Sequence, residues 1–65
     1  MPPRDWRVRV QDILAAIAKI QKYTEGMDAR SFVADARTVD AVIANITVIG
    51  RELNGILNEA RRIDR

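Results

Sequence analysis

The sequence predicts an all-α fold: a helical hairpin with a short connecting helix and a long third helix, dimerising into a helical bundle. Three observations carry that expectation. Apolar residues recur at steps of three and four through two long stretches, about 5–24 and about 36–64, which is the period of one helix face and not of a strand. A compact turn with glycine at its pivot, TEGMD, lies between them. Finally, 65 residues without a cysteine or a histidine make one small domain that lacks disulfides and the usual zinc ligands. A fold of that size buries only roughly 60% of the surface its unfolded chain exposes, so oligomerisation is the remaining common route to further burial.

In the first stretch, Trp6, Val10, Ile13, Leu14, Ile17 and Ile20 form the apolar stripe and the charges fall opposite. Asp5 is a suitable N-cap, and Gly26 stands where a left-handed residue ends the helix. Arg9 and Asp12, three apart, are expected to pair on the exposed side. Trp6 is assigned to core packing, and Tyr23 to the edge of the stripe with its hydroxyl reaching water or a carbonyl.

Asp28 is then expected to cap a short helix, about 29–34, from which Phe32 and Val33 point back as a lid on the core. Asp35 ends that piece and caps the next.

The third helix, about 36–64, carries a continuous seam of Val39, Val42, Ile46, Ile49, Leu53, Ile56, Ala60 and Ile63, widened by Ile43, Gly50 and Leu57. Many of these residues are β-branched and suit a strand by propensity. Periodicity decides for helix, because Asp40, Asn45, Arg51, Glu52, Asn58, Glu59 and Arg62 avoid the seam. Gly50 and Gly55 each cost a helix roughly 1 kcal/mol relative to alanine. Gly50 is read as admitting another helix backbone. Gly55 follows Asn54, a turn signal, so a break there is the alternative to a continuous helix; the unbroken register favours continuity.

Length sets the assembly expected. The first helix spans ~28 Å and the third ~43 Å, which leaves ~15 Å of the third unsupported. That overhang carries Leu53, Ile56, Leu57 and Ile63, each worth roughly 1.5 to 3 kcal/mol when buried. Two copies offer on the order of 12 to 24 kcal/mol against an association cost of about 4 to 15 kcal/mol. The expected interface of a homodimer or higher homo-oligomer is therefore Val39, Val42, Ile46, Ile49, Gly50, Leu53, Ile56, Leu57, Ala60 and Ile63.

Chemistry finds little support in the residues. Asp35 and Asp40 fall on different sides of a helix, and Glu52 and Glu59 sit ~10 Å apart along one. Ser31, Thr24, Thr38 and Thr47 have no histidine to activate them, and the three glycines are too scattered for a phosphate loop. All are read as solvated helix surface, with no catalytic, metal or cofactor site. The net charge is only +2, although the basic residues gather at the ends as Arg4, Arg7 and Arg9 and as Arg61, Arg62 and Arg65. These are read first as solvent-facing and helix-end charge, and second as nucleic-acid contacts. The start carries two prolines and an acid where a signal peptide needs a basic start and an apolar run, and no apolar stretch approaches the ~20 residues that span a bilayer. A soluble, cytoplasmic protein is expected.

From Asp5 to Gly50, the run DWRVRVQDILAAIAKIQKYTEGMDARSFVADARTVDAVIANITVIG resembles the N-terminal half of the HepT-like family, the toxin members of HepT-MntA toxin-antitoxin pairs. The matching pieces are DIL followed by AI, YTEGM in the turn, Phe32 and Asp35, and RTVDAVIANITVIG. The resemblance implies a dimerising all-helical bundle, a ribonuclease activity without a metal cofactor, and a nucleotidyltransferase antitoxin that modifies a tyrosine. The family's catalytic signature is an arginine, four to six residues, then histidine, with tyrosine three residues later. This chain has no histidine, and Ile20 stands three residues before Tyr23, so no catalytic residue carries over. After Gly50 the chain is read as departing from the family, with RELNGILNEARRIDR prolonging the heptad in place of the path to the catalytic half. Three functions follow: a non-catalytic, truncated family member acting as an oligomerisation module; a ribonuclease toxin represented by a partial chain; or a small basic nucleic-acid-binding helical protein.

Overall fold

Asp5 starts the first helix as its sequence position suggests, its carboxylate accepting the Arg7 backbone amide at 2.9 Å. The computed structural model describes residues 5–63, and these fold into α1 (Trp6–Tyr23), α2 (Ala29–Ala34) and α3 (Ala36–Ile63). At the far end of α1 the Thr24 hydroxyl donates to the Ile20 carbonyl at 2.9 Å. The Met27 amide closes the turn onto the Thr24 carbonyl at 3.0 Å. Gly26 supplies the one positive φ among the described residues, +76°, a conformation that costs glycine nothing and a side-chain-bearing residue about 1 kcal/mol or more.

Two aspartates punctuate the rest. Asp28 and Ser31 form a reciprocal capping box: the Ser31 amide donates to the Asp28 carboxylate at 2.8 Å and the Asp28 amide to the Ser31 hydroxyl at 3.1 Å. Asp35 ends α2, its amide donating to the Phe32 carbonyl, and its carboxylate accepts the Thr38 amide at 3.1 Å to open α3. Within α3, polar residues return their bonds to their own helix: the Asn45 amide nitrogen donates to the Ala41 carbonyl at 2.8 Å and the Thr47 hydroxyl to the Ile43 carbonyl at 3.0 Å. The helix runs through Asn54 and Gly55 without a break, as the register of the sequence requires.

α3 folds back antiparallel on α1, and α2 packs on α3 alone. The result is a slender hairpin of 47 × 19 × 15 Å. Its core is thin: among the described residues only Ala16 and Val42 are buried apolar residues, and no large side chain is fully enclosed. The inward rows are Arg9, Ile13, Ala16 and Ile20 of α1 against Val42, Ile49, Glu52 and Ile56 of α3, all buried or half-buried.

Several sequence expectations fail here, each for a physical reason. Trp6 is 55% exposed and is not a core residue; the Arg7 guanidinium lies 5.7 Å from its ring centre, so the indole is covered by a cation and not by the hairpin. Val33 is 75% exposed, because adjacent residues project about 100° apart around a helix, so Phe32 turns inward and is half-buried while Val33 turns out. The overhang of α3 is shorter than its length suggested, since α1 reaches Glu52 and Gly55 through Arg9 and leaves Ile56 half-buried. Glu52 is not solvated surface but one of the most buried of the described residues.

Candidate interaction surface

The α3 seam divides between two faces. Val42, Ile49 and Ile56 turn toward α1, whereas Ile46, Leu53 and Ala60 are exposed beside Ile43, Gly50 and Leu57, with Val39 half-buried between the two sets. A single facing helix can cover both apolar rows of a heptad, but here α1 lies over the row of Val42, Ile49 and Ile56 and leaves the other uncovered. The backbone of Ile63 ends α3, and its side chain is outside the described set.

The exposed rows of the two helices meet on one side of the hairpin. On α1 the exposed apolar residues Trp6, Leu14 and Ile17 are rotated about a quarter turn from the inward row; on α3, Ile43, Ile46, Leu53 and Leu57 are rotated by about the same angle in the same sense. Because the helices run antiparallel, equal rotations in each helix's own direction fall on the same side of the pair. Seven of the eleven exposed large apolar residues thus share one face. Apolar residues scattered singly over a surface need no explanation, whereas these seven are gathered on one side.

Behind that face lies an ion pair that sequence reasoning did not foresee. The Arg9 guanidinium donates to the Glu52 carboxylate at 2.8 Å across the α1–α3 interface, with the glutamate side chain only 8% exposed. Arg9 is thus turned inward, and Asp12, three residues on, is half-buried and not on the exposed side where its spacing placed it. Gly55 makes the site, for a Cβ there meets the Arg9 guanidinium. The guanidinium lies against the bare backbone of α3 one turn beyond Glu52. A signal existed: Thr38, Asn45, Glu52 and Glu59 repeat every seven residues, and all four are buried or half-buried on the inner side of α3.

The expected nucleic-acid contacts are partly drawn together and partly spent. The hairpin brings the start of α1 and the end of α3 to the same end of the molecule. There the Arg7 side chain lies 3.8 Å from the Asp5 carboxylate and Arg62 lies 3.9 Å from Glu59, while Arg61 is exposed. Arg4 and Arg65 lie outside the described residues. Tyr23 is exposed at the opposite end, beside the turn. Among the described residues no group of three histidine, cysteine, aspartate or glutamate side chains is placed to hold a metal, and no helix is long and apolar enough to cross a membrane.

In comparisons with known proteins, the family model for Ribonuclease HepT-like proteins matches residues 13–64, about four-fifths of the chain. The match runs past Gly50 to the end of α3, so the stretch from Arg51 that reads as a departure from the family lies within its pattern. No curated protein and no solved structure matches the chain.

Proposed function

Since this chain belongs to the HepT-like family, we propose that its work within that family is assembly: it is a helical homo-oligomerisation module whose own residues carry no ribonuclease chemistry. The observation that carries this reading is the single apolar face formed by Trp6, Leu14 and Ile17 of α1 with Ile43, Ile46, Leu53 and Leu57 of α3. A hairpin whose buried apolar core is Ala16 and Val42 gains much from covering that face, and each of its larger side chains adds roughly 1.5 to 3 kcal/mol on full burial. Against catalysis stands the lack of any histidine in these 65 residues, where the family's signature requires one. The nucleotidyltransferase antitoxin implied by the resemblance is the expected second partner.

Leu53→Asp tests the reading. Leu53 is 47% exposed in the single chain, so the aspartate leaves the hairpin helical by circular dichroism but dissociates the oligomer in light scattering. Val42→Asp, at a buried position, unfolds it instead. If Leu53→Asp leaves the molecular mass unchanged, the face is not the contact surface. An RNA cleavage assay on the pure chain is expected to stay at background, and turnover above background would refute the non-catalytic part.

The gathering of Arg7, Arg61 and Arg62 at one end favours a second reading, contact with a nucleic-acid backbone. Its mark is an affinity that falls steeply as salt rises through counterion release. With Arg7 and Arg62 already beside Asp5 and Glu59, that reading is the weaker of the two.

A further inference from the structure

The exposed apolar row of α3 is nearly symmetric about Gly50. Ile46 and Leu53 stand four residues before and three after it, and Ile43 and Leu57 stand seven before and seven after. At the centre, a Cβ on Gly50 would meet nothing within 4 Å, so the glycine serves no contact inside the hairpin. A glycine there costs the helix roughly 1 kcal/mol. It leaves a flat notch of bare backbone midway along an apolar ridge.

Resting on the proposed self-association, we infer its geometry: a second copy lies antiparallel across α3, with the two-fold axis passing between the two Gly50 residues. In that arrangement residue n of one copy stands opposite residue 100 minus n of the other. Ile46 then packs against the partner's Leu53, Ile43 against the partner's Leu57, and the paired glycines let the backbones approach at the centre. The same operation stacks α1 on its own copy, bringing Leu14 and Ile17 into the contact and making a four-helix bundle.

Charge at the ends of the row favours this orientation; at the axis exposed Arg51 adjoins the partner's Arg51, as it also would in a parallel pair. Exposed Arg61 and exposed Asp40 lie on the same edge of the apolar row, the edge away from α1, and the antiparallel register sets Arg61 beside the partner's Asp40 on both sides of the axis. A parallel pairing of the two α3 helices would set Arg61 and Arg62 of the two copies together, with like charges and like helix ends adjoining. Area allows it as well. A broad side of the 47 × 19 × 15 Å hairpin projects on the order of 900 Å², against about 800 Å² per partner in a standard interface.

The chain's lack of cysteine makes the test direct. Under mild oxidation Gly50→Cys is expected to give a disulfide-linked dimer, since Cα atoms about 4.4 to 6.8 Å apart can be bridged. Ile46→Cys mixed with Leu53→Cys cross-links in trans, while Ile43→Cys alone does not, because its two copies lie ~21 Å apart along the axis. Gly50→Ala supplies a readout free of disulfide chemistry: the single chain becomes more helical, yet its dimer dissociation constant rises at least tenfold. Cross-linking of Ile17→Cys with Ile46→Cys in place of Gly50→Cys would mean that α1 stacks on α3. Self-linking of Ile43→Cys would mean a parallel pair. Either overturns this geometry and leaves self-association standing, whereas a chain that stays monomeric and forms no cross-link overturns both.

Discussion

Arg9 is fixed from two sides, by the Glu52 carboxylate and by the bare backbone at Gly55. Removing one partner of a largely buried pair is costly because the other keeps its desolvation penalty. Arg9→Met should therefore cost about 3 kcal/mol, the low end for a buried pair, since the arginine is still 23% exposed. Urea denaturation of the variant measures it. Gly55→Ala is subtler, because the helix gains roughly 1 kcal/mol while the new methyl displaces the guanidinium from Glu52. The two effects separate in a double-mutant cycle: the alanine should stabilise the chain by about 1 kcal/mol in an Arg9→Met background and by less, or not at all, in the native one. Equal effects in both backgrounds would mean that Gly55 does not seat Arg9. This cluster was hidden from a reading by residue type, which places glutamate at the surface. Only its place in the polar seven-residue repeat with Thr38, Asn45 and Glu59 put it on the inner side of α3.

At the level of elements, short side chains fix the boundaries. Asp5, Asp28 and Asp35 each accept a backbone amide at a helix start, and these caps were legible because an aspartate before an apolar-periodic run has few other uses. Asp35→Ala is expected to cost about 1 kcal/mol of stability and to fray the first turn of α3, seen as faster amide exchange at Thr38. The Ser31 backbone amide, followed by its hydroxyl, holds the Asp28 carboxyl below its ordinary value. A carboxylate whose pKa is lowered by folding contributes stability that is present above its unfolded pKa, about 3.9, and is lost as pH falls through the lower folded value. Loosening of α2 on acidification should begin below about pH 4 and be absent in Asp28→Asn, which an amide-exchange titration would show. The division of the α3 seam was not legible. Val42 and Ile46 look alike in a heptad, and only the position of α1 decides that the first is buried and the second exposed.

For the molecule as a whole, two long helices make a stable hairpin only as far as their shared surface allows, and here that surface is one row on each. The all-helical fold, the order of its elements and the surplus of apolar surface could all be read from periodicity and length. Which residues form the surplus could not, because rotation of α1 about its axis turns Trp6 and Leu14 out and Arg9 in, and periodicity alone does not fix that angle. The central question is whether the face of Leu14, Ile17, Ile46, Leu53 and Leu57 is covered in solution by a second copy. Sedimentation equilibrium of the unmodified chain at several concentrations measures this most directly. The expected result is a mass moving from 7.4 kDa toward twice that value as concentration rises, with Leu53→Asp held at the lower value; a native chain that stays at 7.4 kDa throughout while fully helical would contradict the account.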